Sequence, residues 1–256
     1  MARQNGAKQE TLMATLVADK ALMEELGREI VALANAQFDS PGYRRLLGLP
    51  LNTARGQAYV IQRTHWTTNR RDCWALAQGV SPLDVKKIIW DHESEELAGK
   101  PEEGVADHYT LSVKEAALLG LSRDDLINTP PIDGAVTCLG AWLHLVKHSH
   151  WLTAVASCSA LELSNSEEVL RDGSMSRRMG ANMAKDLGIP LHKQPMNAEH
   201  MVADIAHGNL MTEVAERHMT NRAELELILD GLRQSWAIDR VWKGQLADLL
   251  ESIPMN

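Results

Sequence analysis

Phenylalanine is nearly absent from this chain of 256 residues, which has one Phe against seven Trp and three Tyr. Aromatic bulk therefore sits in side chains that carry an N–H or O–H, and such side chains suit the wall of a pocket. Cysteine is scarce as well. Cys73, Cys138 and Cys158 are an odd number with no CxxC spacing, which fits buried small hydrophobes better than disulfides or zinc ligands. No apolar run reaches the roughly 18 residues of a membrane span, so no membrane partner is expected. Positive charge is lacking too: the formal net charge is −8, and Arg and Lys are scattered apart from the pairs Arg70/Arg71 and Arg177/Arg178. That balance argues against a nucleic-acid partner, because phosphate binding needs a positive surface. The polar first ten residues hold no apolar segment like that of a secretory signal. The expectation is a cytoplasmic protein, with residues 1–8 disordered and 9–256 forming one domain.

Familiar catalytic motifs are missing. There is no HExxH or ExxH, no Gly-rich phosphate loop and no GxSxG elbow, so zinc proteases, paired ferritin-type motifs and hydrolases of that kind have no support. Alternating strand patterns and internal repeats are also absent. Helical periodicity is what remains. It predicts helices over 9–37, 54–78 and 83–97, the last opened by Ser81-Pro82. A polar loop, 99–104, leads to a helix over 108–120, and Ser122 caps a short one with Asp125 three residues on. Pro130-Pro131 precedes a long helix over 134–163. Further helices are expected over 176–187, stopped by Gly188 and Pro190, over 197–219, and from the Asn221 cap to about 250. The fold class is all-α, a single helical bundle of about seven or eight helices.

The sharpest chemical feature is His200-x3-Asp204-x2-His207. At roughly 100° per residue, positions four and seven apart fall within about 40° of the first, so all three side chains share one stripe of a helix. Two imidazoles and a carboxylate suit iron, manganese or zinc. Met201, Val202, Ala203, Ile205 and Ala206 between them are apolar, and polar groups within such a segment are costly to bury unless something satisfies them. The bland reading is a polar stripe with one satisfied His. Glu162 ends an otherwise uncharged stretch and shares its face with Trp151, Val155 and Cys158; it is either a metal ligand facing a pocket or the solvated end of a buried segment. The acidic run from Asp91 to Glu96 places Glu93 and Glu96 on one face and His92 four residues before Glu96. Most such runs are simply solvated helix ends.

Taken together, these motifs resemble the haem-oxygenase-like diiron oxidases and oxygenases, helical-bundle relatives of thiaminase II and pyrroloquinoline-quinone synthase. That family closes its metal site with His-x3-Asp-x2-His, matched by His200, Asp204 and His207, and carries an earlier core Glu, matched by Glu162. Its first motif is a Glu at a helix end, a short Gly-containing loop and a His opening the next helix. Here the loop is longer than usual, so Glu93, then Glu96, stands as the first ligand, with His92 as a non-standard alternative, and His108 opens the next helix.

The resemblance implies two iron ions per chain with O2 as co-substrate, and frequent homodimers. It implies oxidation of a small amino-acid- or amine-like substrate, by N-oxygenation, desaturation or C–C cleavage through a peroxo-diferric species. For that substrate, Arg63 and Arg70 are candidates to pair with a carboxylate and Asn69 to hydrogen-bond. Trp66, Trp151, Val155 and Cys158 would contact its apolar body; equally, these arginines fit surface charge and these tryptophans fit core. Two other readings stand: a cofactor-free oxidase of the same fold, and a non-catalytic helical ligand-binding protein.

Overall fold

A computed structural model describes residues 19–255, the side chains of 202–208 excepted; the expected disorder of residues 1–8 lies outside them. The described residues are helical throughout, apart from turns and one isolated antiparallel bridge between Lys100 and Val105. In chain order the helices are α1 (Lys20–Phe38), α2 (Pro41–Gly48), α3 (Thr53–Asn69), α4 (Arg71–Val80) and α5 (Leu83–Ala98). These are followed by α6 (His108–Ala117), α7 (Arg123–Asn128), α8 (Asp133–His148), α9 (Trp151–Leu163) and α10 (Met175–Leu187). The chain ends with α11 (Pro195–Gly208), α12 (Leu210–His218) and α13 (Arg222–Ser252).

The expectation of seven or eight helices is therefore too low. Three predicted segments are each split, at Arg70, at Ser149-His150 and at Asn209, and an extra short helix, α2, fills the Pro/Gly break after α1. No Pro or Gly marks the breaks at Arg70 and at Ser149-His150, whereas Gly208 just before Asn209 is a local signal for the third. Arg70 and Asn209 keep helical backbone angles at their breaks. Ser149 and His150 are extended, and His150 Nδ1 accepts from Leu152 N at 3.3 Å to start α9. Where capping chemistry is strong, the prediction holds: Ser122 and Asp125 form a capping box, and Asn221 accepts from Glu224 N at the head of α13.

α9 is the buried axis of the bundle. Its residues from Leu152 to Leu163 are all buried, and the 31-residue α13 lies against it. Small side chains let the two backbones approach. A Cβ at Gly231 would sit 2.4 Å from the carbonyl oxygen of Thr153. Polar bonds stitch the same face: Ser235 Oγ donates to Ser157 O at 2.7 Å, and Trp236 Nε1 donates to Ala160 O at 2.9 Å. Gly231→Val is thus expected to cost about 1–3 kcal/mol by overpacking, read as a lower denaturation midpoint at unchanged slope; an unchanged midpoint would contradict this close crossing. No described helix is long and apolar enough to cross a membrane, α13 included.

Candidate metal centre

The inward face of α5 decides which of its residues can act. Its buried residues are Val85, Ile89, His92 and Glu96, spaced by four, three and four, the stripe that 3.6 residues per turn keeps on one side. His92 and Glu96 thus continue an apolar stripe into the core. Glu93 stands about 70° to one side of the centre of that stripe; its carboxylate meets Arg71 Nη1 at 2.7 Å and His92 Nδ1 at 3.0 Å.

Glu162, 1% exposed, reaches the same place from the C-terminal end of α9. The ligand atoms of His92, Glu96 and Glu162 lie within 4.8 Å of one another, all from buried residues. His92 Nε2 is 3.5 Å from Glu162 Oε1. The break between α3 and α4 turns the Arg70 guanidinium inward onto that oxygen as a hydrogen-bonded ion pair. Glu162 Oε2 is shut off from solvent and accepts no hydrogen bond.

The tight turn after α5 brings in the next residue. Gly99 adopts φ 70°, and a Cβ there would lie 2.5 Å from Val105 O, so the reversal needs glycine. Lys100 and Val105 exchange backbone hydrogen bonds at 2.9 and 3.1 Å. Asp107 then caps α6 through Thr110 N at 2.9 Å, and buried His108 sets Nδ1 2.7 Å from Glu96 Oε2. Arg71 Nη1 meets that oxygen at 2.8 Å. On α11, buried His200 packs its ring edge-on to His108, with centroids 4.6 Å apart. Asp204 and His207 follow on α11, but their side chains lie outside the described residues.

Charge at the centre is set by these neighbours. Burial pushes the Glu162 carboxyl up, but the Arg70 charge and the hydrogen bond from His92 outweigh it and hold the pKa far below the ordinary value. Glu96 is likewise held well below, burial being overcome by Arg71 and His108. For His92, burial favours the neutral ring, yet contacts with Glu162 and Glu93 prevail and raise its pKa. The result is a closed cluster of anionic carboxylates and imidazoles, a donor set that suits iron or manganese. The shielded, unused Glu162 Oε2 fits a metal ion as its partner, since buried carboxylate oxygens without hydrogen bonds are costly.

A cavity of about 70 Å³ adjoins Glu96 and His200. Of the expected substrate residues, Arg63, Trp66 and Arg70 line it. Val155 and Cys158 are instead packed in the core, Trp151 packs against His218, and exposed Asn69 donates to the carbonyl of His65 at 2.8 Å. Trp66 is stacked between Trp142 and Trp242, at 5.7 and 5.2 Å. The lining also includes residues that sequence reasoning passed over: Tyr43 on α2, and Asp239, Trp242 and Lys243 on α13. The one available signal was Asp239 and Lys243 spaced by four beside Trp236 and Trp242. Cys73 and Cys158 are both buried and free, and burial raises their thiols, Cys73 to about 12, so neither is an activated nucleophile.

Residues 57–240 match the family described as iron-containing redox enzyme. No curated protein matches. Among solved structures, a domain of unknown function with a haem-oxygenase-like fold from Shewanella denitrificans aligns with a TM-score of 0.67 at 14% identity, covering 90% of this chain and 91% of the other. A CADD-like protein of unknown function from Nostoc punctiforme aligns with a TM-score of 0.66 at 19% identity, over 90% and 96%. A TenA family transcription regulator from a Silicibacter species aligns with a TM-score of 0.58 at 15% identity, over 92% and 99%. These likenesses establish a haem-oxygenase-like fold.

Proposed function

This chain belongs to the family of iron-containing redox enzymes, and from that premise we propose that it is a non-haem diiron, O2-dependent oxidase or oxygenase acting on a small amino-acid- or amine-like substrate. The observation that carries the reading is the buried convergence of His92, Glu96 and Glu162, with one oxygen of Glu162 sealed from solvent and accepting no hydrogen bond. The proposed ligands are Glu96, Glu162, His108 and His200, joined by Asp204 and His207 from the same stripe of α11 and by His92 from α5. Bound iron would supply the one-electron and dioxygen chemistry.

The protein's own residues do the rest. Arg70 orients Glu162 by taking Oε1 and leaving Oε2 for the metal. Arg71 steadies Glu96, and its contact with Glu93 gives that residue a supporting role beside the centre. The adjoining cavity, walled by Trp66 and Trp242, holds the substrate against the cluster and limits bulk water.

The test is anaerobic loading with ferrous iron, desalting and iron analysis, then exposure to oxygen under optical spectroscopy. About two irons per chain are expected, as for a two-metal site, with an oxygen-dependent visible band. His92→Ala and Glu96→Ala should each lower the iron retained. Background iron in the wild-type protein, and no oxygen-dependent signal, would sink the reading.

A further inference from the structure

We propose that the outer face of α5 is a two-fold interface, on which α5 of a second copy of this chain lies antiparallel with Trp90 at the axis. Leu83, Trp90 and Leu97, all on α5, are 71%, 66% and 64% exposed. They are spaced by seven, so at roughly 100° per residue they fall within about 20° of one line along the helix. That line runs about 130° around the helix from the buried stripe of Val85, Ile89, His92 and Glu96. α5 packs against α4 and α6, and the described residues leave its outer line to solvent. Large apolar residues repeating every seven positions form the seam along which helices pair. Their three side chains expose roughly 400 Å² of apolar surface, about half of what each partner gives to a standard interface; the flanking turns supply the rim.

A second copy fits this face because the pattern is its own complement. Leu83 and Leu97 stand seven residues to either side of Trp90, so a two-fold axis at Trp90 sets Leu83 of each copy against Leu97 of the other and brings the two indoles together. The charges beside the line follow the same symmetry. Lys87 and Asp91 are both exposed and lie on the same side of the line, the lysine one turn before Trp90 and the aspartate just after it. Antiparallel pairing brings Lys87 of each copy beside Asp91 of the other, so the attraction is made twice. Parallel pairing would instead set lysine on lysine and aspartate on aspartate. The antiparallel pair also braces from outside the helix whose inner stripe holds His92 and Glu96.

Sedimentation equilibrium of the full-length, metal-free protein, from low micromolar to about 100 µM, tests this. The wild type is expected to show a monomer–dimer equilibrium and Trp90→Asp to stay monomeric. Lys87→Glu and Asp91→Lys should each weaken the dimer about ten-fold, because each turns two attractive contacts into repulsive ones. Mixed in equal amounts, these two variants should associate as the wild type does, since the mixed dimer restores opposite charges at both contacts. The substituted side chains are exposed, so each variant should keep its helical spectrum, which is checked first. Amide hydrogen exchange along Leu83–Ala98 should slow as wild-type concentration rises and not change with concentration in Trp90→Asp. A wild type that stays monomeric would overturn the proposal. A dimer that survives Trp90→Asp would do so too, since it would lie on another face. A mixture no tighter than its parts would rule out the antiparallel pairing. Iron enters none of these measurements, so their outcome and that of the diiron reading stay separate.

Discussion

Glu162→Ala is expected to abolish iron retention and, independently, to destabilise the metal-free protein by about 3–5 kcal/mol, the usual cost of breaking a buried ion pair from one side. Arg70 and Glu162 are 8% and 1% exposed, so the truncation leaves a guanidinium charge in the core beside Trp142 with its main partner gone. In a chain of this size such a loss lowers the melting temperature by roughly 10 °C. The two consequences separate in a double variant. Glu162→Leu with Arg70→Met removes both charges and keeps apolar volume, which is often near neutral for a buried pair. That double variant should regain most of the stability and still retain no iron. Thermal denaturation without metal, paired with iron analysis after loading, reads both effects. If Glu162→Ala kept its iron, Glu162 would be a partner of Arg70 and nothing more.

The second large effect is expected at Glu115, which sits outside the metal cluster and holds its far arm. This carboxylate is fully buried on α6 and accepts from Met196 N at 3.0 Å and Asn197 N at 3.1 Å. Those are free N–H groups at the start of α11, where a negative charge is favoured by the helix dipole. Arg63 pairs with the same carboxylate from α3. Glu115→Ala therefore strands a buried arginine and uncaps the helix that carries His200, at about 3–5 kcal/mol. Hydrogen exchange of the amides from Met196 to His200 should quicken, and iron affinity should fall although Glu115 touches none of the proposed ligands. Glu115→Gln, which keeps an acceptor but not the charge, should fall between. Unchanged exchange in α11 would show that its start is held by other contacts.

How far the centre was legible depends on the kind of signal. His108, Glu162 and His200 were readable because each sits at a marked place: after an N-cap, at the end of an uncharged helix, on a regular stripe. The choice within the acidic run was not, because the longer loop left the matching carboxylate ambiguous, and it is the buried stripe with Val85 and Ile89 that carries Glu96 and His92 inward. Arg70 was a candidate for substrate on its residue type. Its engagement with Glu162 joins residues 92 positions apart, at a break between α3 and α4 that no Pro or Gly announces. Asn69, Trp151, Val155 and Cys158 were placed near a pocket by helical spacing alone, and spacing does not say where along a helix the pocket lies.

The sequence by itself determined the all-α class, the strongly capped helix starts and the helical stripes that carry His and carboxylate side chains, because periodicity and capping are local properties read from a few neighbouring residues. It left open the splitting of the long helices, the pairing of Arg63 with Glu115 and of Arg70 with Glu162, and the Lys243 wall of the cavity. Tertiary structure decided these, since each joins residues dozens to hundreds of positions apart. A buried charge takes whatever partner packing brings within about 3 Å, and that distance is set by how helices cross, which no single helix encodes.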